Sequence, residues 1–345
     1  PMMQIHNYQE PVPDFPRRAT GSWTKRVSPD EIPESEDLFS AEALEERLGG
    51  LGESRLSVLA GGDIMLGGRS RRFIKEQGPD YPFLATLPLL RRAYIVLANL
   101  EGPLARHAEK QDRNFSYRVN PRRAKALFSA NISVVTLANN HLMDCGREGV
   151  LETIKVLNIA GVHPLGAGIN EESSRLPVIL DAGGLKVGLL GYYWNKRCAA
   201  RKRLAGGAMD TPEALQADIG RLRPLVDRIV VTFHWGIPYE REPLAEDRLK
   251  ARFAVECGAD AVIGHHLHVL QPFEIHHNRP IFYSVGNFAF GSGNSLAEGI
   301  LVGLRFGKAL TDVIVYPLYV KNRDARAAYQ PKVLKGEGEI GRAHV

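Results

Sequence analysis

Short apolar runs alternate with amphipathic segments along most of the chain. The runs are rich in β-branched and aromatic residues, which favours strands, and they lie at 56–63, 93–101, 132–140, 186–193, 228–235, 260–266 and 280–288. Helical spacing of apolar residues separates several of them, for example at 148–160 and 245–257. This alternation predicts an α/β fold. The strand-like run 310–320 has no helix after it, which favours mixed sheets over a purely doubly wound sheet.

The same pattern divides the chain into three parts. Residues 1–54 are expected to form an extended arm followed by a short helix over 35–48, which Gly49 and Gly50 end. No boundary interrupts the pattern over 55–330, so we expect one domain there, followed by a tail over 331–345. The last seven residues, 339–345, resemble the translation of a common sequencing adapter, and we expect them to be an artefact that packs against nothing.

Composition narrows the class of protein. Hydrophobic residues make up 44% of the 345 residues and charged residues 24%, which is ordinary for a globular protein. The net charge of +5 allows an anionic ligand, but no nucleic-acid-binding signature is present, so we expect no nucleic-acid partner. The sequence contains no run of 18 apolar residues, so it predicts no membrane span. Because the chain begins with Pro1, a signal or membrane anchor, if the protein has one, is expected ahead of that residue.

Polar residues of the metal-binding type stand at the carboxyl ends of five of the runs. They are Asp63, Asn99 with Glu101, Asn139-Asn140-His141, His234 and His265-His266-Leu267-His268. In open α/β sheets, ligands bind outside the carboxyl ends of the strands, so we expect these side chains to converge on one rim. Imidazole and carboxylate together suit Zn, Mn or Fe. The pattern therefore predicts a centre for divalent metal.

Each of these residues also has a plain structural interpretation. Asp63 would suit the cap of a helix, Asn140 would suit a turn, and His234 would suit a hydrogen-bonded core position. The pair His266 and His268 is the stronger signal, because residues two apart on an extended segment point to the same side. Five coincidental polar strand ends are a poor explanation, and the metal hypothesis is favoured.

The order of these motifs resembles a known superfamily. The series Asp63 … Asn99-Leu100-Glu101 … Asn140-His141 … His234-Trp235-Gly236 … Gly264-His265-His266-Leu267-His268 is similar to the D-x-H, G-D, G-N-H, H and G-H-x-H motifs of calcineurin-like metallophosphoesterases. The segments GDIMLGG, ANLEGPL, LANNHLMDCGREGVLET and GADAVIGHHLHVLQPFEIHHNRPIFYSVGNFAF resemble the poly-γ-glutamate capsule-synthesis (CapA-like) family over about residues 56–291. The resemblance implies a sandwich of two mixed sheets flanked by helices.

The resemblance also implies roles for particular residues. By position, the metal ligands would be Asp63, Glu101, Asn140, His234, His266 and His268. Glu101 would take the place of the bridging carboxylate, and His141 would be the catalytic acid or electrophile. Asp144 would orient His141 as its catalytic partner. The alternative role for Asp144 is to cap the helix that begins near Arg147.

Two departures from the superfamily pattern concern the metals. The D-x-H motif is Asp63-Ile64-Met65 here, so one histidine ligand is lost, and Met65 is expected to pack in the core. The bridging Asp is replaced by Glu101, which is one methylene longer. We therefore expect one or two ions, Mn, Fe or Zn, with one metal position weaker or differently occupied.

An anionic substrate would need donors beside the metals. Tyr117 and Arg118 lie in the segment after Glu101, where Arg118 would grip a carboxylate or phosphate with two parallel hydrogen bonds; an ordinary loop position is the alternative. The basic run at 196–203 is expected to be a solvated loop.

Three functions remain open at this point. The leading one is a metal-dependent hydrolase-like enzyme acting on an anionic small molecule or on polyglutamate, with a role in capsule biosynthesis. The second is a non-catalytic accessory protein that binds polyglutamate during synthesis or export, alongside the capsule-synthesis machinery at the membrane. The third is an enzyme of amide chemistry. The pair Asn140-His141 favours catalysis, whereas the missing histidine at Met65 favours the accessory role.

Overall fold

The computed structural model describes residues 20–21, 38–50, 55–110, 116–293, 295–296, 298–307, 311–335 and 342–344. Most of the expected N-terminal arm therefore lies outside the described residues. Within them the strands are β1 (Thr20–Gly21), β2 (Leu56–Met65), β3 (Ala93–Leu100), β4 (Val134–Thr136), β5 (His163–Leu165), β6 (Ala167–Gly168), β7 (Val178–Asp181), β8 (Lys186–Tyr193), β9 (Gly206–Gly207), β10 (Arg228–His234), β11 (Ala261–His265), β12 (Phe273–His276), β13 (Arg279–Phe282), β14 (Asn287–Phe290), β15 (Glu298–Phe306), β16 (Thr311–Tyr319), β17 (Lys332–Val333) and β18 (Arg342–His344).

Helices connect many of these strands. They are α1 (Ala41–Gly50), α2 (Ser70–Gln77), α3 (Leu87–Leu90), α4 (Ala124–Ser129), α5 (Gly146–Ala160), α6 (Glu171–Ser174), α7 (Pro212–Leu222) and α8 (Ala245–Glu256), with 3-10 turns at Tyr81–Phe83, Pro121–Arg123 and Arg223–Leu225. Local chemistry sets several ends. Thr211 caps α7 by accepting the backbone N–H of Ala214, and α5 ends at Gly161, whose φ of 79° suits glycine.

The strands form two large mixed sheets. The first has the order β1-β12-β13-β11-β10-β8-β7, in which β8, β10, β11 and β13 run parallel. The second has the order β17-β16-β15-β2-β3-β4-β5, in which β2 to β5 run parallel and β15 and β16 run antiparallel. In addition, β14 pairs with β2 and β18 pairs with β16.

The two sheets pack face to face, and helices cover their outer faces. Val58 and Ile95 of the second sheet share one buried cluster with Leu189, Val230 and Ile263 of the first. The alternate residues face outwards, where α1, α3, α4 and α5 cover the second sheet, while α7 and α8 cover the first. Because the central strands are buried on both faces, they are continuous apolar runs in the sequence.

This architecture confirms the prediction of an α/β sandwich of two mixed sheets flanked by helices. Some boundaries differ. The short helix begins at Ala41 rather than at 35, since the side chain of Ser40 accepts the backbone N–H of Ala43. The run 280–288 is two strands, β13 and β14. The backbone of 342–344 pairs with β16, so the expectation that 339–345 packs against nothing is wrong for these three residues. Within the described part of the chain, no helix is both long and apolar enough to span a membrane.

Candidate metal centre

The carboxyl ends of strands from both sheets bring the predicted ligands together. Asp63 lies on β2 and Glu101 directly follows β3 in one sheet, whereas His234 ends β10 and His266 directly follows β11 in the other. Contacts join the two sides. The backbone N–H of His266 donates to Oδ2 of Asp63 at 3.3 Å, and Nε2 of His234 lies 3.8 Å from Oε1 of Glu101. The sandwich therefore closes around one shared set of donors.

One donor group, called here the four-donor half, consists of Glu101, Asn140, His234 and His266. Ligand atoms of Glu101, His234 and His266 all lie within 4.8 Å of one another. Oδ1 of Asn140 is 2.8 Å from Nε2 of His234, and the rings of His234 and His266 have centroids 4.4 Å apart. One carboxylate, one amide oxygen and two imidazoles form a donor set that suits Zn, Mn or Fe.

The other donor group, the three-donor half, consists of Asp63, Glu101 and His268, whose ligand atoms also lie within 4.8 Å of one another. Nδ1 of His268 is 3.2 Å from Oδ2 of Asp63. Glu101 belongs to both halves and lies between them. Met65 is buried, and its sulfur accepts the backbone N–H of Gly67 at 3.2 Å. These contacts fit a residue that packs in the core and not a metal ligand.

Amide side chains hold the ligands of the three-donor half. Nδ2 of Asn99 donates to Oδ1 of Asp63 at 2.8 Å, and Asn139 donates to Oδ1 of Asn99 at 3.0 Å. Oδ1 of Asn287 lies 2.9 Å from Nδ1 of His268. Sequence reasoning identified Asn99 and Asn139 only as polar strand ends and gave Asn287 no side-chain role. The signal for Asn287 was its place in the family-like segment SVGNF.

The charges of the centre suit a cation. Asp63 and Glu101 have no exposed surface. Among the described residues, the basic side chains within 4.0 Å of these two carboxylates are all histidines, namely His141, His234, His265 and His268. Oε2 of Glu101 and Nδ1 of His266 are buried without a hydrogen-bond partner. Such atoms are costly to leave unsatisfied, so the residues present fit a divalent metal.

The surroundings shift the pKa values of the donors in directions that matter for metal binding. Burial, followed by the charge of Asp63, raises the pKa of Glu101 to about 7. Burial, followed by the charge of His268, lowers the pKa of His266 to about 4. Burial also holds the pKa of His234 well below its usual value. Imidazole must be neutral to bind a metal, so protons compete little for His234 and His266 near neutral pH.

The loop after β11 carries its histidines in unusual backbone conformations. The φ angles of His266 and His268 are 97° and 57°, in the left-handed region that residues other than glycine rarely adopt. The sequence argument assumed an extended segment here, and that assumption is wrong. Both side chains nevertheless join the centre. Gly264 lets the chain pass close to β13, because a Cβ there would lie 2.0 Å from the carbonyl oxygen of Tyr283. Close packing of this kind maintains strained backbone at functional sites.

His141 lies beside the centre without joining either donor group. Its Nδ1 is 2.7 Å from Oδ2 of Asp144, and its Nε2 is 3.8 Å from Oε2 of Glu101. Burial is the largest single effect and lowers the pKa of His141, but the hydrogen bond to Asp144 and the charges of Glu101 and Asp144 together outweigh it, so the pKa of the imidazole is raised. Asp144 also accepts the backbone N–H of Tyr117 at 2.6 Å. It does not occupy the cap of α5, a position held by Cys145 without a side-chain capping bond.

Aromatic rings line the outer side of the centre. The ring of Tyr117 lies 4.3 Å from that of His141, and Phe290 lies 4.8 Å from His268. Tyr239, more than half exposed, lies 6.0 Å from His268. Burial raises the pKa of Tyr117 to about 12, so its phenol stays protonated. Tyr239 and Phe290 were missed by sequence reasoning, since a lone aromatic residue in a loop or at the end of a strand gives no signal.

The other predicted donors lie further out. Arg118 is exposed, and its guanidinium donates to the carbonyl of Ala108 at 3.3 Å. In the contacts that the described residues make, Arg118 touches neither donor group, so the structure brings Tyr117 but not Arg118 to the centre. The basic side chains of 196–203 are exposed, and Arg147 fixes this loop through the carbonyls of Ala199 and Ala205.

His265 is a further residue that sequence reasoning left without a role. It is fully buried, and neither ring nitrogen has a hydrogen-bond partner. Its Nδ1 lies 3.7 Å from Oδ1 of Asp63, on the side of that carboxylate where Asn99 donates. Burial lowers the pKa of His265 to about 4. The ring therefore supports Asp63 as a neutral neighbour.

Comparison with known proteins assigns the family. The family model described as "Bacterial capsule synthesis protein PGA_cap" matches residues 57–292, well over half of the chain. This chain belongs to that family. Capsule biosynthesis protein CapA of Bacillus anthracis is 32% identical over 274 residues, which cover 75% of this chain and 67% of that protein. PGA biosynthesis protein CapA of Bacillus subtilis is 31% identical over 243 residues, 69% of this chain and 64% of that protein. The capsule synthesis match thus spans the whole described centre, and the chain spans about two thirds of these relatives.

Solved structures resemble this capsule synthesis family member only in outline. A candidate 5'-nucleotidase from Staphylococcus aureus, solved in complex with alpha-ketoglutarate, aligns with a TM-score of 0.43 and 13% identity. The alignment covers 81% of this chain and 53% of that one. The family assignment rests on the sequence matches and not on this likeness.

Proposed function

We propose that the protein is a metal-dependent hydrolase-like enzyme that acts on an anionic substrate in poly-γ-glutamate capsule biosynthesis. The observation that carries this proposal is the convergence of six donors, four of them buried, into two groups that share Glu101, with His141 beside them. Its relatives are named for capsule and PGA biosynthesis, which supports the biological setting. The capsule-synthesis machinery at the membrane would be its partner.

In this proposal the two halves of the centre hold the metal. Glu101, Asn140, His234 and His266 would bind one divalent ion, and Asp63, Glu101 and His268 would bind a second ion more weakly. Mn, Fe and Zn are the metals that this mixture of imidazole and carboxylate favours. When bound, the ions would activate water and offset negative charge on the substrate oxygen. Polyglutamate or a smaller anion would be the substrate.

The residues around the centre have separate tasks. His141 would hold a proton on Nε2 and transfer it to the leaving group. That nitrogen faces the centre at 3.8 Å from Glu101, whereas Nδ1 is engaged by Asp144 at 2.7 Å. Asp144 would fix the orientation of the ring and favour its protonated form. Tyr117, whose ring is tilted by 40° against that of His141, would shield the imidazole from water and donate a hydrogen bond to the substrate.

A second candidate function is a non-catalytic accessory protein that binds polyglutamate during synthesis or export. The observation that favours it is Met65, which leaves the three-donor half without the histidine of the superfamily motif. The exposed basic loop 196–203 would suit a polyanion as well, because it follows Tyr193, whose ring lies 5.6 Å from that of His234.

One experiment separates the two functions. Purified protein is analysed for Mn, Fe and Zn, and each reconstituted form is assayed with a chromogenic phosphodiester, a phosphomonoester and a γ-glutamyl amide. Binding of poly-γ-glutamate is measured in parallel. We expect up to two ions in the centre and turnover of one substrate class. Polyglutamate binding without turnover in any metal-loaded form would establish the accessory function instead.

A further inference from the structure

A second cluster of histidine and carboxylate side chains lies at the surface and shares no residue with the candidate metal centre. Ligand atoms of Glu256, His276 and His277 lie within 4.8 Å of one another. Glu256 is the last residue of α8, His276 is the last residue of β12, and His277 begins the turn that leads to β13. Glu256 and His277 are exposed, so an ion from solvent can reach them.

The turn is what places the two histidines together. Neighbouring residues on a strand point to opposite faces, so an ordinary strand would separate these rings. Here His277 and Asn278 have φ angles of 47° and 58°, which fold the chain back into a tight hairpin. The two imidazoles lie on the same side as a result, with centroids 4.3 Å apart. Oε1 of Glu256 is 3.2 Å from Nε2 of His276.

We propose that Glu256, His276 and His277 bind a divalent transition-metal ion of the zinc class. Two imidazoles and one carboxylate, with water in the fourth position, are an accepted donor set for Zn²⁺. Metal–ligand bonds of about 2.0–2.2 Å require ligand atoms about 3.4 Å apart in a tetrahedral site. Rotation of the exposed Glu256 and His277 side chains would bring the ligand atoms to that distance.

The charges around the cluster do not oppose a cation. Arg252 is the nearest basic residue on α8, and its Nε is 2.8 Å from a carboxylate oxygen of Glu274. That same oxygen lies 4.0 Å from Nδ1 of His276, which adds negative charge beside the site. Arg279, in the hairpin, pairs with Asp260 at 3.3 Å. Both arginines are therefore neutralised by carboxylates outside the proposed ligand set.

An ion at this surface site would join a helix to the first sheet. It would tie the end of α8 to the β12–β13 hairpin, and β13 pairs with β11, which leads into the loop of His266 and His268. The ion would thus be a structural clamp on the support of the candidate metal centre. A protein with both sites filled would hold one more ion than the centre alone can hold.

The test compares the full-length, untagged protein with two variants. Three proteins are titrated with Zn²⁺ against a chromogenic chelator: wild type, the double variant His276→Ala/His277→Ala and the control His163→Ala. The control removes an exposed histidine from β5. We expect the double variant to lose one zinc equivalent per chain and its retention on an immobilised-zinc column. The control is expected to keep both. Equal zinc equivalents in all three proteins would overturn the proposal.

Two additions keep this result separate from folding and from the candidate centre. Glu256→Gln keeps a hydrogen-bonding side chain beside His276 but removes the charge, so it is expected to weaken zinc binding at the surface by about tenfold without altering the metal-free Tm. His266→Ala is expected to lose an ion from the buried centre while keeping retention on the immobilised-zinc column. Loss of column retention in His266→Ala would show that the protein binds the column through the centre, and this result would contradict the surface site.

Discussion

The two halves of the candidate centre share Glu101 but differ in completeness. The four-donor half draws on strands of both sheets and on the loop that carries Asn140, and it contains every ligand type of the superfamily pattern. The three-donor half has a buried methionine where that pattern has histidine. The backbone that would carry the missing ligand is nevertheless retained. With Met65 in that place, we expect the ion position of the three-donor half to be the weaker of the two.

The two halves also differ in how their charge is balanced. Burial opposes protonation of His268, but its hydrogen bond to Asp63 and the charge of Glu101 raise its pKa to about 9. The three-donor half thus has an internal cation that pairs with Asp63. His234 and His266 are instead neutral, since burial lowers their pKa values. The imidazoles of the four-donor half are therefore already in the neutral form that binds a metal, whereas His268 must release its proton before it can bind one.

Removing a ligand unique to the four-donor half should have the largest effect. His266→Ala should lose the ion of that half and lower turnover by a factor on the order of 10⁴ or more, because ligands that act as a unit fail together. His268→Ala should lose only the weaker ion. Metal stoichiometry and turnover of both variants provide the measurement. An ion count in His266→Ala equal to that of wild type would contradict the division into halves.

His141→Ala tests catalysis with both halves left intact. If His141 is the proton donor, turnover should fall by about 10²–10⁴-fold, while the number of bound ions stays as in wild type. Affinity for the substrate should change little, because the ligands of both ions remain. Full turnover in this variant would remove His141 from the mechanism and would favour the accessory function.

Asp144→Asn should have a smaller effect through the same ring. The amide keeps the size of the side chain but removes the charge that raises the pKa of His141. Turnover should fall by about 10–100-fold, the usual cost of losing a partner that orients a working side chain. The pH profile should shift with it, since a lower pKa of His141 moves the loss of its protonated form to lower pH. A cap of α5 would instead change Tm without changing the profile.

Much of this arrangement could be predicted from the chain itself. The alternation of apolar runs predicts the strands, and the polar residues near the carboxyl ends of the runs predict the rim, because ligands bind outside the carboxyl ends of strands in α/β sheets. Spacing and motif order bring Asp63, Glu101 and the histidines into one site before any coordinates are known. Family resemblance supplies the roles, which periodicity alone does not contain.

Other features depend on packing that no local pattern reports. Asn287 on β14 supports His268 although the two residues are 19 positions apart in the chain, a contact that periodicity does not predict. The aromatic rim likewise combines single residues from separate segments. The left-handed backbone of His266 and the close approach of Gly264 to Tyr283 are features of the assembled sheet that no local sequence pattern reports. The surface cluster of Glu256 and His277 likewise needs the hairpin and the helix end together.

The last prediction repairs the weaker half. Met65→His restores the superfamily motif on β2, two residues after Asp63, and gives the three-donor half a fourth donor. Zinc or manganese affinity at the weaker position should rise by about tenfold, as a tetrahedral set of protein ligands replaces one that needs water. The matched control is Met65→Leu, which keeps an apolar side chain of similar volume and should cost less than about 1.5 kcal/mol of stability. Isothermal titration of each variant with the metal gives both affinities.

Because Met65 is buried and its sulfur accepts the backbone N–H of Gly67, a histidine at this position must turn its ring toward the carboxylates to satisfy its nitrogens. If Met65→His and Met65→Leu bind the second ion equally, the difference between the halves lies outside position 65, and the support of Asp63 by Asn99 becomes the next site to vary.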